Sequence, residues 1–133
     1  MSDAATIAAT PYARIGGDAA VRALVERFYD LMEMEPEYAR LRAVHANSLA
    51  SAREKLYLFL SGWLGGPQLY VARHGHPRLR ARHLPFAIGT TERDQWLACM
   101  RRALADSGVS DDLSTPLMAA FSQTADWMRN VEE

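Results

Sequence analysis

The stretch Gly75-His76-Pro77-Arg78-Leu79-Arg80-Ala81-Arg82-His83-Leu84-Pro85 predicts a short helix with a proline at each boundary. Pro77 suits a first helical turn, where its missing N–H has no intrahelical partner to lose; Pro85 cannot continue a helix and biases Leu84 towards extended backbone. His83 therefore falls in the last turn of a helix about two turns long. Leu79 lies one turn before it, Leu84, Phe86 and Ile88 follow, and Trp96 comes thirteen positions later in a new amphipathic segment. An imidazole in such company is placed for a flat apolar partner on one side of the ring, which is what a haem requires of its axial ligand.

Composition frames that reading. With 133 residues, 49% of them hydrophobic and 23% charged, the chain suits one domain over 1–133, with residues 1–11 a flexible N-terminal extension and the first dozen residues frayed. A net charge of -1 and a pI near 6.4 give no drive towards nucleic acid or an anionic membrane, so a small-molecule partner is expected. No apolar run reaches the roughly 18 to 20 residues of a membrane span, and Met1 to Thr10 has no basic start; a cytoplasmic location is expected. The single cysteine, Cys99, excludes an intrachain disulfide and a Cys-x-x-Cys-His attachment, so any haem is held without covalent bonds.

Helical periodicity dominates the rest, and no segment alternates as a strand does. From Asp18, after the Gly16-Gly17 turn, Val21, Leu24, Val25, Phe28 and Met32 mark one stripe; a short helical piece over 37–44 follows Pro36. Leu49, Ala52, Leu56, Phe59, Leu60 and Trp63 mark the next stripe, stopped by Gly65-Gly66-Pro67, with 67–76 expected as a loop. Thr90 or Thr91 is the expected cap of a helix carrying Trp96, Leu97, Met100, Ala103 and Leu104, with Gly108 beyond its end. Leu113, Leu117, Phe121, Ala125 and Met128 mark the last. Such stripes are ordinary core, but Tyr29, Trp63 and Trp96 add donors that a dry core leaves unpaired, which suggests one shared cavity.

Taken in order, Arg27-Phe28-Tyr29, Phe59 to Pro67, Gly75 to Phe86 and Glu92-Arg93-Asp94-Gln95-Trp96-Leu97 resemble the group II truncated haemoglobins, over about Tyr12 to Met128. The resemblance implies an all-α fold, the shortened globin with two helices over two around haem b. It makes His83 the proximal ligand of the iron, its other ring nitrogen donating to a carbonyl of the helix end, for which Leu79 is the natural acceptor. It makes Tyr29 and Trp96 distal donors to a diatomic ligand. His45 matches a variable distal position, with a solvent-facing histidine as the alternative. Ala52 stands where many globins carry a distal histidine and offers no donor. Leu56, Phe59, Phe28, Leu79, Phe86, Ile88, Met100 and Met128 are expected to wall the haem, generic core being the alternative for each. Arg73, His74, His76, Arg78, Arg80 and Arg82, together with Lys55, are candidates for the haem propionates, only one or two of which can be reached. Tyr70 is expected to bond locally beside the proximal loop.

Three functions follow as expectations. The first is reversible binding of dioxygen and other diatomics for storage, sensing or oxygen transport. The second is redox turnover, as a nitric oxide dioxygenase or a peroxidase-like enzyme, which needs an external reductase. The third replaces haem with zinc on His74, His76 and His83, with Cys99, at poor spacing. The chain is expected to be a monomer or a homodimer. An inert buried thiol is the expectation for Cys99.

Overall fold

The computed structural model describes residues 10–84 and 86–131, and its regular elements are all helical. Eight α-helices occur among the described residues: α1 Pro11–Ile15, α2 Asp18–Met34, α3 Ala39–Ala43, α4 Ala50–Trp63, α5 Leu69–His74, α6 Leu79–His83, α7 Thr90–Asp106 and α8 Asp111–Trp127, with a 3₁₀ turn over Pro36–Tyr38 before α3. No helix is long and apolar enough to cross a membrane. Residues 1–9 of the expected N-terminal extension and Pro85 of the expected helix stop lie outside the described residues.

The long helices form where the apolar stripes predict them. Helix α2 buries Val21, Leu24, Val25, Phe28, Tyr29, Leu31 and Met32 on one side, the spacing that turns one face of a helix to a core. It packs against α4 and against α7, and α7 packs against α8. The α2–α4 pair thus lies over the α7–α8 pair, the two-over-two arrangement. Helix α3 packs on α7 and is tied there by two side chains: Gln95 Oε1 accepts the Leu41 N–H at 2.9 Å, and Arg40 pairs with Glu92 at 2.9 Å.

Four local expectations are corrected. The N-terminal residues are not frayed as far as position 12: Thr10 Oγ1 accepts the Ala13 N–H, and the Tyr12 N–H donates to the Leu64 carbonyl at 2.8 Å. Tyr12 also lies flat on Gly66, where a Cβ would come within 2.4 Å of the ring. The expected loop over 67–76 contains α5, whose start is tied to α4 because Ser61 Oγ donates to Pro67 O and Gln68 Nε2 to Gly62 O. Pro77 does not open α6. Arg78 takes the left-handed conformation (φ 46°) between them, and the helix begins at Leu79, only five residues long. Gly89, not Thr90 or Thr91, caps α7, because the Glu92 carboxylate reaches back to the Gly89 N–H at 2.8 Å.

Candidate functional site

Helices α4 and α8, one from each pair, leave a cleft of about 480 Å³ closed on its third side by the turn into α6. Phe59 and Trp63 line it from α4, Leu79 and Arg78 from the start of α6, and Trp127 and Met128 from the end of α8. Phe59, Leu79 and Met128 of the expected wall thus meet in one place. Leu56 and Ile88 are half-buried nearby in sequence but do not border that cleft. Phe86 is turned outward with 45% of its surface exposed. Phe28 and Met100 have no exposed surface and belong to the interhelical core.

The tips singled out in the sequence are connected by stacked and edge-on rings. His45 lies 6.0 Å from Tyr29, Tyr29 5.0 Å from Phe28, Phe28 5.2 Å from Trp96, Trp96 5.3 Å from Phe121 and Phe121 4.5 Å from Trp63, each between ring centroids. The arc runs from α2 through α7 and α8 to α4. Trp63 is therefore the stacking partner of Phe121 and stands at the opposite end of the arc from Tyr29 and His45.

The polar atoms along this arc are conspicuous for what they lack. Tyr29 is 5% exposed, yet among the described residues its hydroxyl has no hydrogen-bond partner, and neither has the indole N–H of Trp96. No fully enclosed side-chain nitrogen or oxygen is left unpaired among the described residues, so the Tyr29 oxygen keeps some exposed surface. Burial pushes the Tyr29 hydroxyl well above the usual phenol range, only partly offset by Arg53, so it stays protonated as a donor.

His45 and His83 are both oriented by the carbonyl four residues earlier. His83 Nδ1 lies 2.6 Å from Leu79 O, the acceptor expected from sequence, and His45 Nδ1 lies 2.9 Å from Leu41 O. A carbonyl only accepts, so in each ring the proton sits on Nδ1 and the Nε2 lone pair is left available. Burial, with Arg42 and His83 as lesser causes, lowers the pKa of His45, and the Leu41 carbonyl opposes the shift. The lowered pKa favours the neutral ring of His45, whose Nε2 then carries a lone pair.

Among the basic candidates, most are already engaged. Arg82 Nε turns back to Pro77 O at 2.7 Å, Arg80 reaches the carbonyls of Trp127 and Arg129, and Arg73 pairs with Glu54 at 3.5 Å. Arg78 borders the cleft, and Lys55 is exposed on α4. Tyr70 is buried, and its contacts are with rings and a guanidinium: Phe59 at 6.4 Å, His74 at 4.9 Å and Arg82 at 5.7 Å. The zinc expectation is not met: among the described residues no three His, Cys, Asp or Glu side chains converge as a ligand set, and Cys99 is buried with its Sγ donating to Phe28 O at 3.2 Å. Burial raises that thiol to about 12, which keeps it protonated and inert.

Sequence reasoning missed the side chains that anchor the site from a distance. Gln95 holds the backbone before His45, and Asn130 holds the backbone after His83. Long-range hydrogen bonds leave no periodic trace, so no signal in the chain announces them. The apolar cleft and the oriented His83 ring, one turn beyond the cleft residue Leu79, suit a flat apolar group carrying a metal that takes one imidazole nitrogen; His83, Tyr29, Trp96 and His45 do not themselves border the cleft, and of the two distal donors Tyr29 is buried and Trp96 half-buried.

The bacterial-like globin family model matches residues 10–130. A group 2 truncated hemoglobin of Bacillus subtilis is 37% identical over 92% of this chain and 90% of its own length. The solved group II 2-on-2 hemoglobin of Agrobacterium tumefaciens superposes with a TM-score of 0.89 at 48% identity, covering 93% of this chain and 95% of that one. The truncated oxygen-avid haemoglobin of Bacillus subtilis superposes with a TM-score of 0.83 at 37% identity, covering 91% of this chain and 99% of that one. The chain belongs to the bacterial-like globins, within their group II truncated haemoglobins, and its cofactor is haem b.

Proposed function

We propose that this globin binds dioxygen and related diatomic ligands on haem b, with His83 as the proximal ligand and with Tyr29 and Trp96 as the distal donors. The observation that carries the reading is the 2.6 Å contact from His83 Nδ1 to Leu79 O, which fixes the tautomer and leaves Nε2 as a ligand atom. Haem supplies a ferrous centre at which a diatomic molecule binds reversibly. Leu79, Phe59 and Met128 contribute apolar surface to its cleft; Arg78, which borders that cleft, and Lys55, exposed on α4, are the proposed partners of its propionates.

The distal residues then act by hydrogen bonding. A dioxygen ligand gains partial negative charge, and a donor in a water-poor pocket stabilises it by roughly 1 to 3 kcal/mol, more than it stabilises carbon monoxide. The unpaired hydroxyl of Tyr29 and indole N–H of Trp96 are such donors. His45, neutral and protonated on Nδ1, has no proton on Nε2 to give a ligand; it serves as an acceptor on the Tyr29 side of the pocket.

Stopped-flow measurement of dioxygen dissociation tests this reading. Tyr29→Phe and Trp96→Phe should each accelerate release, and the double variant more so; rates equal to those of the unaltered protein in all three would remove both residues from the distal network. Mixing the oxygenated protein with nitric oxide asks separately whether it turns over: rapid nitrate formation, repeated when a reductase is added, would mark an enzyme.

A further inference from the structure

Helix α6 buries none of its residues, and the segment that follows it, from Leu84 to Gly89, has no regular structure among the described residues. Neither packing nor helix length fixes the backbone that carries His83. One residue just beyond α8 does so. Asn130 Nδ2 donates to the carbonyl of His83 at 3.1 Å and to that of Phe86 at 2.8 Å, while its Oδ1 accepts the Ile88 N–H at 2.9 Å. Its own backbone N–H donates to Ile88 O at 2.8 Å. The amide can face only one way, because the two carbonyls on its nitrogen side accept and never donate.

Arg80 answers in the other direction. From α6 it donates to the carbonyls of Trp127 at 2.6 Å and Arg129 at 3.0 Å, groups left over at the end of α8, and its guanidinium lies 5.4 Å from the Trp127 ring. The end of α8 and both ends of α6 are thus bonded crosswise, over a stretch where hydrophobic contact is scarce.

We propose that Asn130 is a positioning residue for His83, and that with Arg80 it forms a latch setting the backbone from which the imidazole projects; this rests on His83 being the proximal ligand. The Leu79 carbonyl fixes the ring's rotation, and Asn130 fixes the carbonyl group of the same residue. The two constraints together leave the imidazole little freedom. A partner at one remove from a metal ligand typically changes metal retention by 10- to 100-fold when lost, so Asn130→Ala should speed transfer of hemin to an acceptor globin roughly tenfold.

The decisive readout is the iron–histidine stretching band of the ferrous haem-loaded protein in resonance Raman. In Asn130→Ala and in Asn130→Asp, which keeps the side-chain volume and an acceptor for Ile88 but loses both donors, the band should broaden and move to lower frequency. Arg80→Ala should shift it in the same direction. The aspartate variant serves if the alanine variant does not fold. A band unchanged in position and width, with only the melting temperature lowered, would make Asn130 a simple helix-end cap and overturn the latch. In parallel, the band should vanish in His83→Gly and return with added imidazole; a band that persists in His83→Gly without imidazole would overturn the reading of the ligand itself.

Discussion

Tyr29 and Trp96 project from helices of 17 residues each whose inner faces are sealed into the core, whereas His83 ends a helix of five residues that buries nothing. One side of the site is positioned by packing, the other by hydrogen bonds: Leu79 O on the ring, Asn130 on the following backbone, Arg80 across to α8. The difference has a physical logic. A donor aimed at a small ligand needs a fixed position, which a close-packed frame supplies. A metal ligand on a lightly packed helix can be tuned by the few bonds that hold it, and it depends on them.

A cavity in the packed half should have the largest effect. Leu104 on α7 has no exposed surface, and Leu104→Ala should lower unfolding stability by about 2–5 kcal/mol in a denaturant titration. A loss under about 1 kcal/mol would show that the distal frame is not held by packing. Next, removing both proposed distal donors in a Tyr29→Phe, Trp96→Phe double variant should raise the dioxygen dissociation rate between roughly fivefold and 150-fold while leaving hemin retention unchanged. Loss of hemin from that variant would mean that the two halves are not separable.

On the other side, Arg82→Ala removes one exposed bond to Pro77 O and a guanidinium contact 5.7 Å from the Tyr70 ring, and should cost only about 0.5–1.5 kcal/mol, with ligand kinetics unaltered. The smallest effect concerns acid. His45 has its pKa lowered in the folded state, chiefly by burial, so between that value and the ordinary one near 6.5 the unfolded chain binds more protons. Its contribution is fully present above about 6.5 and is lost as pH falls towards the folded value. Denaturation midpoints taken between neutral and mildly acidic pH should therefore fall less steeply in His45→Phe than in the unaltered protein; equal slopes would exclude His45 as the cause.

The same contrast explains what the chain made legible. Helices α2, α4, α7 and α8 were readable because each repeats apolar residues at helical spacing over several turns, and a core seals that face. His83, Tyr29 and Trp96 stood out as chemistry interrupting apolar surroundings. Of the short elements, the helical piece after Pro36 and the helix ending at His83 are legible, whereas α5 and the start of α6 are not. Helix α5 buries only Tyr70 and so has no stripe, and α6 starts late because Arg78, not Pro77, makes its turn in a left-handed conformation. The cap of α7 falls on Gly89, whose own N–H donates to the Glu92 carboxylate, the N3 half of a capping box without a side-chain acceptor at the cap. Arg82 Nε is bonded to Pro77 O, a local contact that the sequence does not announce, and nothing in the neighbourhood of Asn130 marks its role.

On our proposal one imidazole, at position 83, holds the haem. Titration of the apoprotein with hemin, followed in the Soret region, tests it most directly when the unaltered chain and His83→Gly are compared with and without imidazole. The unaltered chain should take up hemin tightly and stoichiometrically, His83→Gly weakly, and uptake should recover when imidazole is supplied. Tight uptake by His83→Gly with an unchanged spectrum and no imidazole would contradict the proposal.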